Sequence, residues 1–286
     1  MTVKDFLPPF DVATLGAVAT SRPDINSRLL HAFYLQVIGT GNPTAADYLE
    51  YVTLNQDNRQ KILIKPADQA NLDAINNANG DNLDPSILVI NLTRPGMLFS
   101  PWGTNDIQSL TIQAKIVAAN PAGKTLTKIQ GFYGYTPVSV PQNRGDAYLQ
   151  TVIPVALPVA GWNILANLPV NDIITATKMI LAANPITEVR ISVGDKPVYH
   201  LTKAAAAEGL RRNPMYKIAD APTFFPVILD DMGIPSDFIP LLENGVRRPV
   251  NVEFYWDTTI AAVSTFNILL EGIEKGTPMP VANSKA

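Results

Sequence analysis

The chain has 286 residues, enough for one large domain or for two of about 140, each with its own core. Apolar residues make up 47% and charged residues only 16%, which suits a β protein surfaced with Thr, Asn and Gln, or one whose surface is covered by partners. A net charge of −3 excludes a global field for gathering nucleic acid, and the lack of cysteine excludes disulfides, a thiolate nucleophile and thiolate metal sites.

Residues 1–26 have poor periodicity and carry Pro8, Pro9 and Pro23, so they read as an arm that docks elsewhere. Met1-Thr2-Val3-Lys4-Asp5 is not a basic segment ahead of an apolar run, and the expectation is synthesis without signal-peptide export. Asn91-Leu92-Thr93 would be a glycan acceptor only on such a route. No stretch approaches 18 uninterrupted apolar residues, the length of a membrane-spanning helix. Ser27 to Val37 suits either a helix or a strand. Gly39-Thr40-Gly41-Asn42-Pro43 lacks the remaining glycine and lysine of a phosphate loop and reads as a turn.

From Asn42-Pro43 a strand-like stretch reaches Leu54, Asp57-Asn58 turns the chain, and a second apolar run ends at Ile62-Leu63-Ile64-Lys65. A helix is predicted over Pro66 to Asn77. Leu110, Ile112, Ala114 and Ile116 then share a face opposite Thr111, Gln113 and Lys115, the period-two signature of a half-buried strand. Leu126 to Tyr135 follows as another. The stretch from Gly134 to Pro169 is proline-rich; within it Thr151 to Leu157 alternates, as a strand leaving one unit ahead of a loop entering the next.

The same story then repeats. Asn184-Pro185 precedes strand-like Val189 to Val193, a Gly194-Asp195 turn, Val198 to Leu201 and a helix from Lys203 to Arg212. Val250 to Trp256 answers Leu110 to Ile116, and Phe266 to Ile273 answers Leu126 to Tyr135. Asn171 to Leu181 is ambiguous, like Ser27 to Val37. Matches in one order, about 140 residues apart, indicate a duplicated unit. The expected fold is all-β, two tandem jelly rolls with a few short loop helices: an arm (1–26), a first jelly roll (27–145), a second (146–276) and a C-terminal tail (277–286).

Candidate chemistry is sparse. His31 and His200 each sit in an apolar periodic segment and read as strand residues. Asn79 to Asp84 and Asp230-Asp231 lack the spacing of a calcium loop and read as turns. Asp47, Glu50, Glu188 and Glu253 are available as carboxylates, but nothing in the sequence pairs them across a cleft. Trp102, Trp162 and Trp256 could mark a sugar platform, though Trp256 alternates with core positions. Trp102 follows Pro101 in a loop and is the candidate interface anchor, since exposed tryptophan is costly unless covered. Arg211 and Arg212, a basic cluster with Lys217 nearby, are further interface candidates. No catalytic, cofactor or metal role is assigned to any residue.

Ile186-Thr187-Glu188-Val189-Arg190-Ile191-Ser192-Val193-Gly194-Asp195-Lys196 with the helix behind it, and Val89-Ile90-Asn91-Leu92-Thr93-Arg94-Pro95-Gly96-Met97, carry a family likeness. In layout, length and repeat, residues 28–273 resemble the double jelly-roll major capsid proteins of icosahedral, internal-membrane-containing bacteriophages, of the corticovirus kind. The resemblance implies a homotrimer of pseudo-hexagonal outline, tiling with neighbouring capsomers in a virion shell assembled in the host cytoplasm. It also implies minor capsid and membrane proteins as partners, an internal lipid membrane below, and no direct nucleic-acid contact. Residues 1–26 and 277–286 become candidate contacts to neighbours or to the membrane side. The alternative is a β-sandwich carbohydrate-active enzyme or carbohydrate-binding module.

Overall fold

The computed structural model describes residues 3–69, 84–92, 101–140, 142–156, 158–212, 218, 222–229, 239–260 and 265–276. Two compact units are present, and neither is a single stretch of sequence. The first comprises Met1–Ile62, Asp84–Tyr148 and Glu274–Ala286; the second comprises Leu63–Leu83 and Leu149–Ile273.

Alternation does in space what it suggests in sequence. The strand Leu110–Ile116 buries Leu110, Ile112, Ala114 and Ile116 and turns Thr111, Gln113 and Lys115 outward. Counted in chain order, the strands of the first half are β1 (Val3–Phe6), β2 (Val18–Ser21), β3 (Arg28–Thr40), β4 (Leu49–Gln56), β5 (Arg59–Ile64), β6 (Ile87–Asn91), β7 (Trp102–Gly103), β8 (Leu110–Ile116) and β9 (Thr125–Pro137). Their pairing orders are β1-β9-β3-β6, with β7 also on β3, and β2-β8-β4-β5.

The second half supplies β10 (Ala147–Ala156), β11 (Gly161–Leu165), β12 (Thr175–Leu181), β13 (Ile186–Val193), β14 (Lys196–Thr202), β15 (Phe225–Ile228), β16 (Ile239–Pro240), β17 (Leu242–Glu243), β18 (Val246–Arg247), β19 (Val250–Trp256) and β20 (Thr265–Glu274). Its sheet orders are β10-β20-β12-β15, with β16 also on β12, and β11-β19-β13-β14; β17 and β18 pair with each other.

With the small strands set aside, each half connects eight strands in one way. The first, last, third and sixth lie side by side in one sheet; the second, seventh, fourth and fifth lie in the other. That is the double Greek key of a jelly roll, and it is built twice. Every sequence match falls on equivalent strands: β4 and β5 on β13 and β14, β8 on β19, β9 on β20.

Both ambiguous segments are strands, β3 and β12, because each lies between partners on two sides: β9 and β6 for β3, β20 and β15 for β12. The first 26 residues, expected as an arm, contribute two edge strands to the first unit. β1 pairs with β9 from Val3↔Tyr135 to Phe6↔Phe132, and β2 pairs with β8. Each is too short, and lies too close to proline, to show a period.

The turn at Asp57-Asn58 has both residues at positive φ (50° and 63°), the geometry that joins twisted antiparallel strands. Asp57 Oδ1 also accepts from the backbone N–H of Gln108 and Ser109. A short helix α1 (Ala45–Tyr48), absent from the sequence reading, is held by a capping box between Thr44 and Asp47. Helix α2 (Lys203–Arg212) occupies the predicted residues. Of the other predicted helix, residues 66–69 are helical and 70–77 lie outside the described residues, as do Asn79 to Asn82, 93–97, Lys217, Asp230-Asp231 and the tail 277–286.

In the second unit Phe254, Trp256 and Phe266 interlock between the two sheets, with ring centroids 5.4–6.3 Å apart. Phe266, Ile268 and Leu270 therefore face the barrel interior, and Asn267, Leu269 and Glu271 face outward. That outward face is covered as well. Leu210 of α2 packs with Val152, Ile180, Phe224 and Leu269, while Lys65 and Asp68 both hydrogen-bond to Asn267 and Gln69 to Gln150. Burial on both faces leaves β10 and β12 covered almost along their whole length, Thr177 and Lys178 included.

Candidate assembly surfaces

The equivalent outward face of the first unit is dressed differently. Phe6 on β1 lies opposite Phe132 on β9, Phe132 opposite Tyr34 on β3, and Tyr34 opposite Val89 on β6. One row of four strands is thus aromatic or aliphatic on its outer side. Phe6 and Phe132 touch with ring centroids 4.9 Å apart, Lys4 Nζ stands 5.7 Å from the Tyr34 ring, and Phe6 remains 61% exposed. Lys128, four residues along β9 from Phe132, is exposed on the same side.

A second face lies on β11-β19-β13-β14. Trp162 is opposite Tyr255 and Tyr255 opposite Glu188, while Ile164 is opposite Glu253, Glu253 opposite Arg190 and Arg190 opposite His200. Trp162 meets Tyr255 edge-on at 5.8 Å, and the Arg190 guanidinium lies 4.0 Å from the centre of the Trp162 ring. Arg190 also reaches Glu188 at 3.3 Å and Glu253 at 4.0 Å. His200 Nε2 is 2.6 Å from Glu188 Oε1. The His200 hydrogen bond, aided by Arg190, holds the Glu188 carboxyl below the ordinary carboxylate range. Trp162, Ile164 and Tyr255 stay 38%, 66% and 39% exposed. In the first unit the equivalent rows are Val18-Lys115-Tyr51 and Thr20-Gln113-Thr53, in which Tyr51 is the one aromatic residue.

The sequence candidates fall elsewhere. Trp102, read as an exposed anchor, is wholly buried within the chain: it sits in β7 against Leu30, with the Arg144 guanidinium 5.2 Å from its ring. Its cover comes from its own unit, which corrects the reading of it as an interface anchor. Arg211 and Arg212 lie in the last turn of α2, where both bond Glu208 one turn back. His31 Nε2 is 2.9 Å from Thr136 Oγ1 across β3 and β9, and burial lowers its pKa. His200 belongs to the ionic cluster above, and Trp256 is buried. Phe6 escaped notice because it lies ahead of two prolines. Tyr255 carried a signal, since burial of Trp256 on an alternating strand turns its neighbour outward.

No protein-family profile matches this sequence, and no curated protein matches it either. The fold, however, is shared: it is the double jelly roll of viral major capsid proteins. The major capsid protein P2 of bacteriophage PM2 superimposes over 97% of this chain and 98% of its own, with a TM-score of 0.74 and 14% identity. The STIV major capsid protein matches over 100% and 99%, with a TM-score of 0.69 and 10% identity. The PBCV-1 virus capsid matches over 96% and 93%, with a TM-score of 0.64 and 8% identity.

Proposed function

We propose that this chain is a viral major capsid protein, a structural subunit rather than an enzyme. Three copies join around an axis so that six similar barrels give a pseudo-hexagonal capsomer, which tiles an icosahedral shell with its neighbours. The observation that carries this reading is one eight-strand wiring built twice in a single chain, matched end to end by capsid subunits of comparable length.

Assembly works by burial. A standard interface covers about 800 Å² on each partner, and exposed aromatic faces are the surface that gains most from such cover. Copies meet through side chains instead of polymerising strand to strand. Arg211 and Arg212 are further contacts to neighbouring capsomers, and the tail 277–286 reaches neighbours or the side facing an internal membrane. Minor capsid and membrane proteins complete the shell, and the protein resides in the virion.

The carbohydrate alternative has less support. The Arg190 guanidinium lies 4.0 Å from the centre of the Trp162 ring, on a face where a sugar ring would stack. Light scattering after size exclusion tests the proposal: the expected mass is three times 31.0 kDa. A strict monomer at high concentration, with no capsomer-sized particle in electron micrographs, would overturn it.

A further inference from the structure

We infer that the contact closing this ring is heterologous, joining the Phe6–Phe132–Tyr34 face of one copy to the Trp162–Tyr255 face of the next. The inference rests on the trimer reading above. A three-fold ring cannot be closed by a patch meeting itself; it needs two unlike, complementary patches on each subunit.

The chain offers two. Among the described residues, the exposed aromatic side chains are Phe6, Trp162 and Tyr255, and they fall on these two faces alone. The internal duplication serves as a control. The second unit has a face equivalent to the Phe6 face, but its own helix covers it through Leu210. The first unit has a face equivalent to the Trp162 face, but there the rows are Val18-Lys115-Tyr51 and Thr20-Gln113-Thr53, with Thr53 buried and Tyr51, the one aromatic residue, only partly exposed. Each aromatic face therefore occurs once per chain, as a head-to-tail contact requires and as barrel stability alone does not.

Charge points the same way. The Phe6 face carries Lys4 and Lys128, so its charge is +2. The Trp162 face carries two carboxylates, Glu188 and Glu253, and one guanidinium, Arg190. Aromatic surface rimmed by cations on one side meets aromatic surface bearing a pair of carboxylates on the other.

Complementation tests the pairing. Phe6→Glu and Trp162→Glu each spoil one face and leave the other intact, so each alone is expected to associate about thirtyfold more weakly than the parent chain. Mixed together, the two variants have one good contact between them, from the intact Trp162 face of the first to the intact Phe6 face of the second. The expected product is a dimer, never a trimer, by light scattering. Circular dichroism checks folding, and the double charge reversal Lys4→Glu with Lys128→Glu stands in should either variant unfold. Variants that remain trimeric beside a trimeric parent would overturn this pairing and leave the trimer reading standing. Monomeric variants whose mixture stays monomeric would overturn it as well. A monomeric parent would remove the trimer reading and the pairing with it.

Discussion

Glu274 shows how one residue can secure a barrel. Its carboxylate lies 2.7 Å from both Lys61 Nζ and an Arg144 nitrogen, and all three side chains are largely buried. Arg144 Nη1 donates to Gln56 Oε1 at 2.6 Å, and the same guanidinium covers Trp102. Replacing Glu274 with alanine removes a carboxylate that two poorly hydrated cations share. The expected loss is about 3–5 kcal/mol in urea unfolding. Asp47 supplies a pH-dependent contribution. Partial burial raises its pKa, but the Lys124 ammonium at 2.5 Å and the Thr44 hydrogen bonds outweigh that and hold it below the ordinary carboxylate value. A carboxyl whose pKa is depressed by folding stabilises above its unfolded pKa and loses that contribution as pH falls through the folded one. Asp47→Asn should therefore be less stable than the parent at pH 7, and the gap should close on acidification below the usual aspartate range. A gap that persists in strong acid would show that the asparagine acts through something other than charge.

At the scale of elements, α2 is the clearest case of sequence and packing agreeing. Four consecutive alanines give high helix propensity, Thr202 Oγ1 accepts from the Ala205 N–H at the start, and Arg211 and Arg212 sit near the negative end of the helix dipole. Ala206, Ala207 and Leu210 turn inward. Leu210→Ala should cost about 2–5 kcal/mol in thermal or chemical unfolding, because a large side chain is lost from a closed cluster. Thr202→Ala should cost only about 1 kcal/mol, the value of one cap. The strands were legible where one face is wet, as in β8 and β19, since water on one side imposes the period of two. Where both faces are covered, as in β12, the alternation disappears and helix and strand look alike in sequence.

For the whole molecule, the repeat was legible and its boundaries were not. The units interleave along the chain, and Glu274, near its end, belongs with Arg144 and Lys61 of the first unit. A fragment cut at residue 145 therefore lacks the carboxylate that Arg144 and Lys61 share and should melt without a cooperative transition by circular dichroism. A sharp transition would show that the first unit closes without Glu274.

Spacing, turn residues and alternation determined by themselves that this is a β protein built twice, because each of those signals is set by a few neighbours along the chain. Only the tertiary structure decided which aromatic residues are covered and which are left outside. Trp102 and Trp162 have similar credentials in sequence, yet one is buried beneath Arg144 and the other remains partly exposed beside Arg190. Burial is a property of what lies across from a side chain, and the groups that settled it for these two tryptophans lie tens of residues away along the chain.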